Sequence, residues 1–256
     1  MGFAIIAPPT QTKKWEIEFH KQAPNEDLLI GYETDNPGEI ECVLVWGHPK
    51  GSLEKFKNLK LIFSMGAGVD HILNDDTIPK DIPISRIVDP QMAFSMTNYI
   101  LMAVLNYQRC WYDFQDAQKR NHWAQFEFDE KNLKVGILGI GHLGMDSANA
   151  LSRLGFEVFG YSNSPKQTTF PSFYGNQLTE FLQKINVLVC TVPLTPKTRG
   201  LLSAKLFNNL AHPTYLINVS RGAVHIEKDI IKSIEDGKLT GAFLDVFEKE
   251  PLPKNS

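Results

Sequence analysis

No apolar run in the 256 residues approaches the roughly 20 needed to span a bilayer, so no membrane partner is expected. The opening run Phe3-Ala4-Ile5-Ile6-Ala7 is too short and too little charged for a signal peptide, and Ile6 stands where N-myristoylation needs serine or threonine. A cytoplasmic location is the expectation. Charge of one sign is also missing: 26 Lys+Arg against 29 Asp+Glu leave a net −3, scattered along the chain, which argues against a nucleic-acid surface. Cysteine is scarce. Cys42, Cys110 and Cys190 have no C-x-x-C spacing, so neither a disulfide framework nor a metal site is expected and all three read as packing thiols. Tandem repeats and low-complexity tracts are absent as well.

What is present is alternation. Aliphatic runs at Phe3–Ala7, Leu28–Tyr32, Cys42–Trp46, Leu61–Met65 and Ile82–Ile87 are separated by helix-like segments, the pattern of a parallel α/β sheet. From Pro90 to about Arg120 the strand signal stops. Met92, Met96, Tyr99, Ile100, Ala103, Val104 and Tyr107 recur there at helical spacing, predicting a long linking helix near 90–120 that joins two domains, meets a second subunit, or simply packs in a core. Alternation restarts with strands at Lys134–Leu138, Glu157–Tyr161, Val187–Val192, Tyr215–Val219 and Gly241–Val246. Helices are expected at Leu143–Leu154, Leu178–Ile185 and Glu227–Glu235, the last closed by Gly237. The expected division is 1–90 and 91–256, the second being a doubly wound sheet.

Chemistry first shows at Gly139-Ile-Gly141-His-Leu-Gly144, a G-x-G-x-x-G where an apolar strand gives way to an amphipathic helix. Gly139 permits the tight turn, Gly141 lets a pyrophosphate approach the backbone, and Gly144 lets the helix pack on the strand. A dinucleotide is the expected cofactor, its phosphates at the free N–H groups of the helix. An acidic residue normally ends the next strand and holds the ribose 2′-hydroxyl. Here the sequence reads Tyr161-Ser162-Asn163-Ser164-Pro165-Lys166. With no carboxylate to repel a 2′-phosphate, and Ser162, Asn163, Ser164 and Lys166 at hand to bind one, NADP is expected over NAD, which stays possible. The competing reading is a solvated turn whose Ser and Asn cap backbone groups.

Asn218-Val-Ser-Arg221-Gly222 follows another apolar run, placing Arg221 at the carboxyl edge of the sheet, where open α/β folds hold ligands. A guanidinium there can grip a carboxylate bidentately, although a surface ion pair is the commoner use of a single arginine. Gly66-Ala67-Gly68-Val69-Asp70, Thr191-Val-Pro-Leu-Thr195-Pro196 and Leu244-Asp245-Val-Phe-Glu248-Lys-Glu250-Pro251 each lie just past a strand.

Together these motifs, in this order and over essentially the whole chain, resemble the D-isomer-specific 2-hydroxyacid dehydrogenases. Trp46-Gly-His-Pro, Ser64–Asp70 and the Ser162 strand end are most similar to the family's bacterial glyoxylate/hydroxypyruvate-reducing branch. The resemblance implies a Rossmann-type dinucleotide domain beside a flavodoxin-like substrate domain, in a homodimer. It implies an oxidoreductase that reduces small 2-keto acids to D-2-hydroxy acids by hydride transfer from NAD(P)H. Gly66, Ala67 and Gly68 would receive the substrate carboxylate in a backbone nest that glycine's tolerance of positive φ makes possible. Trp46 would line the pocket, a core or interface place being the other reading. Arg221 would clamp carboxylate and keto oxygen, Asp245 would hold the nicotinamide carboxamide, and Glu250 would partner the catalytic histidine. His142, Leu143, Val192, Pro193, Thr198, Val219 and Ser220 would line the dinucleotide beside the three glycines.

In one respect the sequence departs from the family. The proton-donating histidine belongs to a Pro-His segment beyond the Glu-Pro motif, and none of His20, His48, His71, His122, His142, His212 and His225 lies in that stretch before the sequence stops at Ser256. Poor turnover by these 256 residues is therefore expected, with His48 read as a loop histidine. The alternative function is a dinucleotide-binding module without turnover.

Overall fold

The aliphatic runs become two parallel sheets in the computed structural model, which describes residues 2–126 and 132–254. Contacts divide the chain into two units, Met1–Asp89 and Pro90–Ser256.

The first unit runs β1 (Gly2–Ile6), α1 (Pro9–Gln22), β2 (Leu28–Ile30), β3 (Ile40–Val45), β4 (Leu61–Ser64), α2 (Asp70–Leu73) and β5 (Ile84–Arg86). Its sheet order is β2-β1-β3-β4-β5, all parallel, the flavodoxin-like arrangement. α1 begins with Pro9, whose fixed φ suits a first helical position and whose missing N–H is not needed there. Ala4, Ile6, Val43, Val45 and Ile62 point from the strands into one core with Leu53, Phe56, Leu59 and Ile72.

The second unit opens with α3 (Pro90–Gln108) and α4 (Trp111–Lys119). The single helix expected near 90–120 is thus two. The break falls at Cys110, a left-handed residue (φ 50°), and α4 restarts from its carbonyl with the Phe114 N–H. Neither glycine nor proline marks that corner, so the sequence hid it. Then follow β6 (Lys134–Leu138), α5 (His142–Arg153), β7 (Glu157–Ser162), β8 (Ser172–Tyr174), α6 (Leu178–Leu182), β9 (Val187–Cys190), α7 (Ala204–Phe207), β10 (Thr214–Asn218), α8 (Glu227–Glu235) and β11 (Leu239–Leu244). Every strand anticipated from sequence is present within a few residues. β8, a three-residue edge strand, was not anticipated.

The order β11-β10-β9-β6-β7-β8 is the dinucleotide-fold arrangement, with its reversal between β6 and β9. All four residues of β9 are buried, as expected of a central parallel strand covered on both faces. Gly237 ends α8 as anticipated: at φ 72° its N–H donates to the Ile234 carbonyl and that of Lys238 to Ser233, a Schellman closure. α3 packs on α5, where Thr97 Oγ1 donates to Asp146 Oδ2 at 2.6 Å. It also stacks Tyr107 on Tyr215 of β10, ring centroids 4.1 Å apart. Cys42 and Cys190 are buried and Cys110 half-buried, all reduced; burial pushes the Cys190 thiol up to about 11. No helix among the described residues is long and apolar enough to cross a membrane.

Candidate active site

In the first unit, β4 ends in the turn Gly66-Ala67-Gly68. Ser64 Oγ donates to the Gly68 carbonyl at 2.6 Å and accepts the Gly66 N–H at 3.3 Å, while Arg86 donates to the Ala67 carbonyl. Gly66 is not among the glycines with a positive φ. Glycine is needed here for space: a Cβ would enter the six-membered ring of Trp46. Trp46, just past β3, thereby walls the turn, and its other neighbour is His71, in edge contact at 5.2 Å.

His48 lies in the loop after β3, as expected, but turned inward. Its side chain is 1% exposed, with Nε2 3.2 Å from Asp75 Oδ2. The Asp75 carboxylate also accepts the N–H groups of Gly51 and Thr77 and the Thr77 hydroxyl, joining the 46–52 loop to the turn after α2. Burial would raise the Asp75 carboxyl, yet the bonds from Thr77, Gly51 and His48 hold it below the usual carboxylate value. Burial pushes His48 below the ordinary histidine value, outweighing the pull of Asp75. Asp75→Ala is expected to destabilise the protein by about 3 kcal/mol, read from the denaturant midpoint, because four donors lose a buried acceptor. The pH dependence has a definite sign. His48 binds protons more readily unfolded than folded, so its stabilising contribution is complete above 6.5 and lost as pH falls through its lower folded value. Asp75 follows the same rule below 3.8. Stability unchanged between neutral pH and mild acid would contradict the burial of a neutral His48.

In the second unit, the carboxyl ends of β6, β9, β10 and β11 lie side by side, Leu138 beside Cys190, Cys190 beside Asn218, Asn218 beside Leu244. Gly139 follows β6 at φ 108°, a turn that a side chain would strain. Its carbonyl accepts the Thr191 hydroxyl at 2.7 Å, and its Cα faces Val192. A Cβ on Gly144 would strike the Gly139 carbonyl, whereas one on Gly141 would meet nothing within 4 Å. That contrast fits the expected dinucleotide: Gly144 serves helix packing, and Gly141 leaves room at the first turn of α5, where His142 and Leu143 sit and no side chain caps the helix. Val192 and Pro193 start the loop after β9. Thr198 folds that loop, donating from Oγ1 to the Pro193 carbonyl at 2.6 Å.

Beyond β7, the Ser162 hydroxyl donates to the Ser164 carbonyl at 2.6 Å, so it caps its own turn, while Asn163, Ser164 and Lys166 are exposed.

After β10, Val219 and Ser220 are buried and Arg221 is half-buried, its guanidinium donating to the Ser220 carbonyl at 2.7 Å. A Cβ on Gly222 would overlap the backbone of Phe247 and Glu248, so the Arg221 loop and the loop after β11 are in direct contact. In that second loop the Glu250 carboxylate accepts the Phe247 N–H at 2.9 Å. The Asp245 N–H donates to the Asn218 carbonyl, and the Asp245 carboxylate lies near enough to the Tyr99 hydroxyl to act on its titration. Burial, followed by that carboxylate, pushes Tyr99 up to about 12, so it stays a donor. Tyr99 was visible in the sequence only as one apolar position of a helix. Nothing local ties it to Asp245.

The model for the family described as D-isomer specific 2-hydroxyacid dehydrogenase, NAD binding domain, matches residues 101–256. A glyoxylate/hydroxypyruvate reductase A of Serratia proteamaculans is 40% identical over 262 residues, covering 99% of this chain and 83% of the relative. The enzyme of that name from Photorhabdus laumondii is 37% identical with the same coverage. Among solved structures, a D-isomer specific 2-hydroxyacid dehydrogenase from Xanthobacter autotrophicus, in complex with NADPH and MES, is similar at TM-score 0.92 and 35% identity, covering all of this chain and 83% of that one. An NADPH-dependent glyoxylate/hydroxypyruvate reductase from Sinorhizobium meliloti, in complex with NADP and sulfate, has TM-score 0.87 and 30% identity, with 100% and 84% covered.

Proposed function

The chain belongs to the D-isomer specific 2-hydroxyacid dehydrogenase family, and from that membership we propose that it reduces small 2-keto acids, glyoxylate and hydroxypyruvate foremost, using NADPH. The observation that carries this reading is the carboxyl edge of the second sheet, where the open Gly141 turn, Val192, Arg221 and Asp245 end neighbouring strands. When bound, the reduced nicotinamide supplies a hydride to the keto carbon. The chain's own residues have the remaining tasks. Arg221 grips the carboxylate and steadies the charge growing on the keto oxygen. In the first unit, the Gly66-Ala67-Gly68 turn, walled by the apolar face of Trp46, is the part we assign to binding a carboxylate. Asp245 is the acceptor for the carboxamide, and Glu250 partners the family's histidine.

Cofactor choice gives the test. Because no carboxylate ends β7, NADPH is expected to bind more tightly than NADH in a fluorescence titration, and Ser162→Asp should reverse the order. The preference should be modest, about tenfold or less. The Ser162 hydroxyl must leave the Ser164 carbonyl to donate to a phosphate, and the arginine that usually follows is Asn163. NADH binding at least as tightly in the unmodified chain would overturn the assignment.

The reading includes pairing of two copies, supported by the exposed apolar side chains Phe94, Met102, Leu105, Trp111 and Tyr112 on α3 and α4. Three free thiols and the absence of a membrane-crossing helix among the described residues agree with a cytoplasmic place. The alternative of a binding module without turnover draws no support from relatives that are named as reductases.

A further inference from the structure

Asn218 and His225 bracket Arg221 in sequence, and both are buried, at 0% and 5% exposure. The Asn218 side chain uses its whole hydrogen-bonding capacity inside this one loop. Oδ1 accepts the Ser220 N–H at 3.1 Å and the Ser220 hydroxyl at 2.7 Å. Nδ2 donates to the Arg221 carbonyl at 3.4 Å and to His225 Nδ1 at 2.9 Å. An amide has two acceptor sites and two donors, so nothing is left over. The backbone on either side of the Arg221 Cα, at the Ser220 N–H and the Arg221 carbonyl, is thereby pinned to one amide group.

The orientation of that amide is not self-evident. Ser220 Oγ could donate or accept, and a turned-over amide would still fill the same space. The Ser220 N–H and His225 Nδ1 break the tie. If Nδ1 carries no proton it can only accept, so it demands the NH₂ end of Asn218 and sends Oδ1 to Ser220. A proton on Nδ1 would set N–H against N–H. We propose that His225 is a positioning residue for Arg221, its unprotonated Nδ1 fixing the Asn218 amide that braces the backbone from which the guanidinium departs. The inference rests on the reading of Arg221 as the carboxylate grip.

The surroundings suit a neutral ring. Burial lowers the His225 value, against the opposing pull of Glu227 at the start of α8 and Glu248 in the loop after β11. With Nδ1 accepting, the remaining proton sits on Nε2, which is buried and has no hydrogen-bond partner among the described residues. A buried donor left without an acceptor is costly, which fits a ring held for the sake of its other nitrogen.

The test uses the 256-residue chain and binding alone. In the NADPH complex, oxalate serves as a keto-acid-sized anionic probe. His225→Leu is expected to weaken oxalate binding about tenfold or more, by stranding the Asn218 donor, and to leave NADPH affinity unchanged. His225→Asn, whose Oδ1 can stand where Nδ1 stood, should restore oxalate binding. Nitrogen-15 NMR of the His225 ring at pH 6.5, where an ordinary histidine is half protonated, should show a neutral ring with its proton on Nε2. A proton found on Nδ1 would overturn the proposal. So would a Leu variant that binds oxalate like the parent, or one that loses NADPH and oxalate alike, since that marks a merely structural role. If the parent binds NADPH but no oxalate, the carboxylate-grip reading of Arg221 falls first and this inference with it.

Discussion

Joining the Pro-His segment of a reductase relative to residue 256 is expected to raise kcat for hydroxypyruvate by about 10²–10⁴-fold over the polypeptide of residues 1–256, the usual contribution of a positioned general acid. Two of the histidines in those 256 residues are committed elsewhere. His48 is buried on Asp75, and His225 has its Nδ1 on Asn218. A fall in KM alone, with kcat equal in both forms, would mean that the joined segment shapes the pocket without delivering the proton. Equal turnover by residues 1–256 would move the search to His71, whose ring lies against Trp46.

In the joined form, Arg221→Ala is expected to lower kcat/KM by about 10³-fold or more, dividing between a higher KM and a lower kcat. Both terms fall because one guanidinium serves two oxygens: the carboxylate, which is charged throughout, and the keto oxygen, which gains charge only as hydride arrives. Arg221→Lys should recover a minor part, since an ammonium is a point charge and cannot present two parallel N–H bonds. Steady-state kinetics with glyoxylate and hydroxypyruvate separate the two terms. A variant with normal kcat and raised KM would show that Arg221 holds only the carboxylate.

Much of this architecture was legible in the chain. Apolar runs of strand length, spaced for intervening helices, announced two parallel sheets. Gly139, Gly141 and Gly144 announced their turn because each glycine answers a separate local demand, of torsion, of open space and of close packing. Gly237 announced the end of α8 for the same reason. Illegible features had no local mark. The corner at Cys110 uses a residue that seldom takes φ 50°, and β8 is too short to show alternation. Gly66 carried the right residue for a reason the sequence did not reveal, since the atoms that forbid a Cβ belong to Trp46, just past another strand.

The sequence by itself determined the element types, the parallel sheets, the glycine turn and the absence of an acid at the end of β7, because each follows from backbone torsion, burial period or charge at neighbouring positions. Only the tertiary structure decided that Asp75 gathers His48, Gly51 and Thr77, and that the Asn218 amide is held between Ser220 and His225. A hydrogen bond between side chains has no period and leaves no pattern along the chain. Its partners are chosen when loops at the ends of strands close on one another, and burial then makes every unsatisfied donor costly enough to fix the choice.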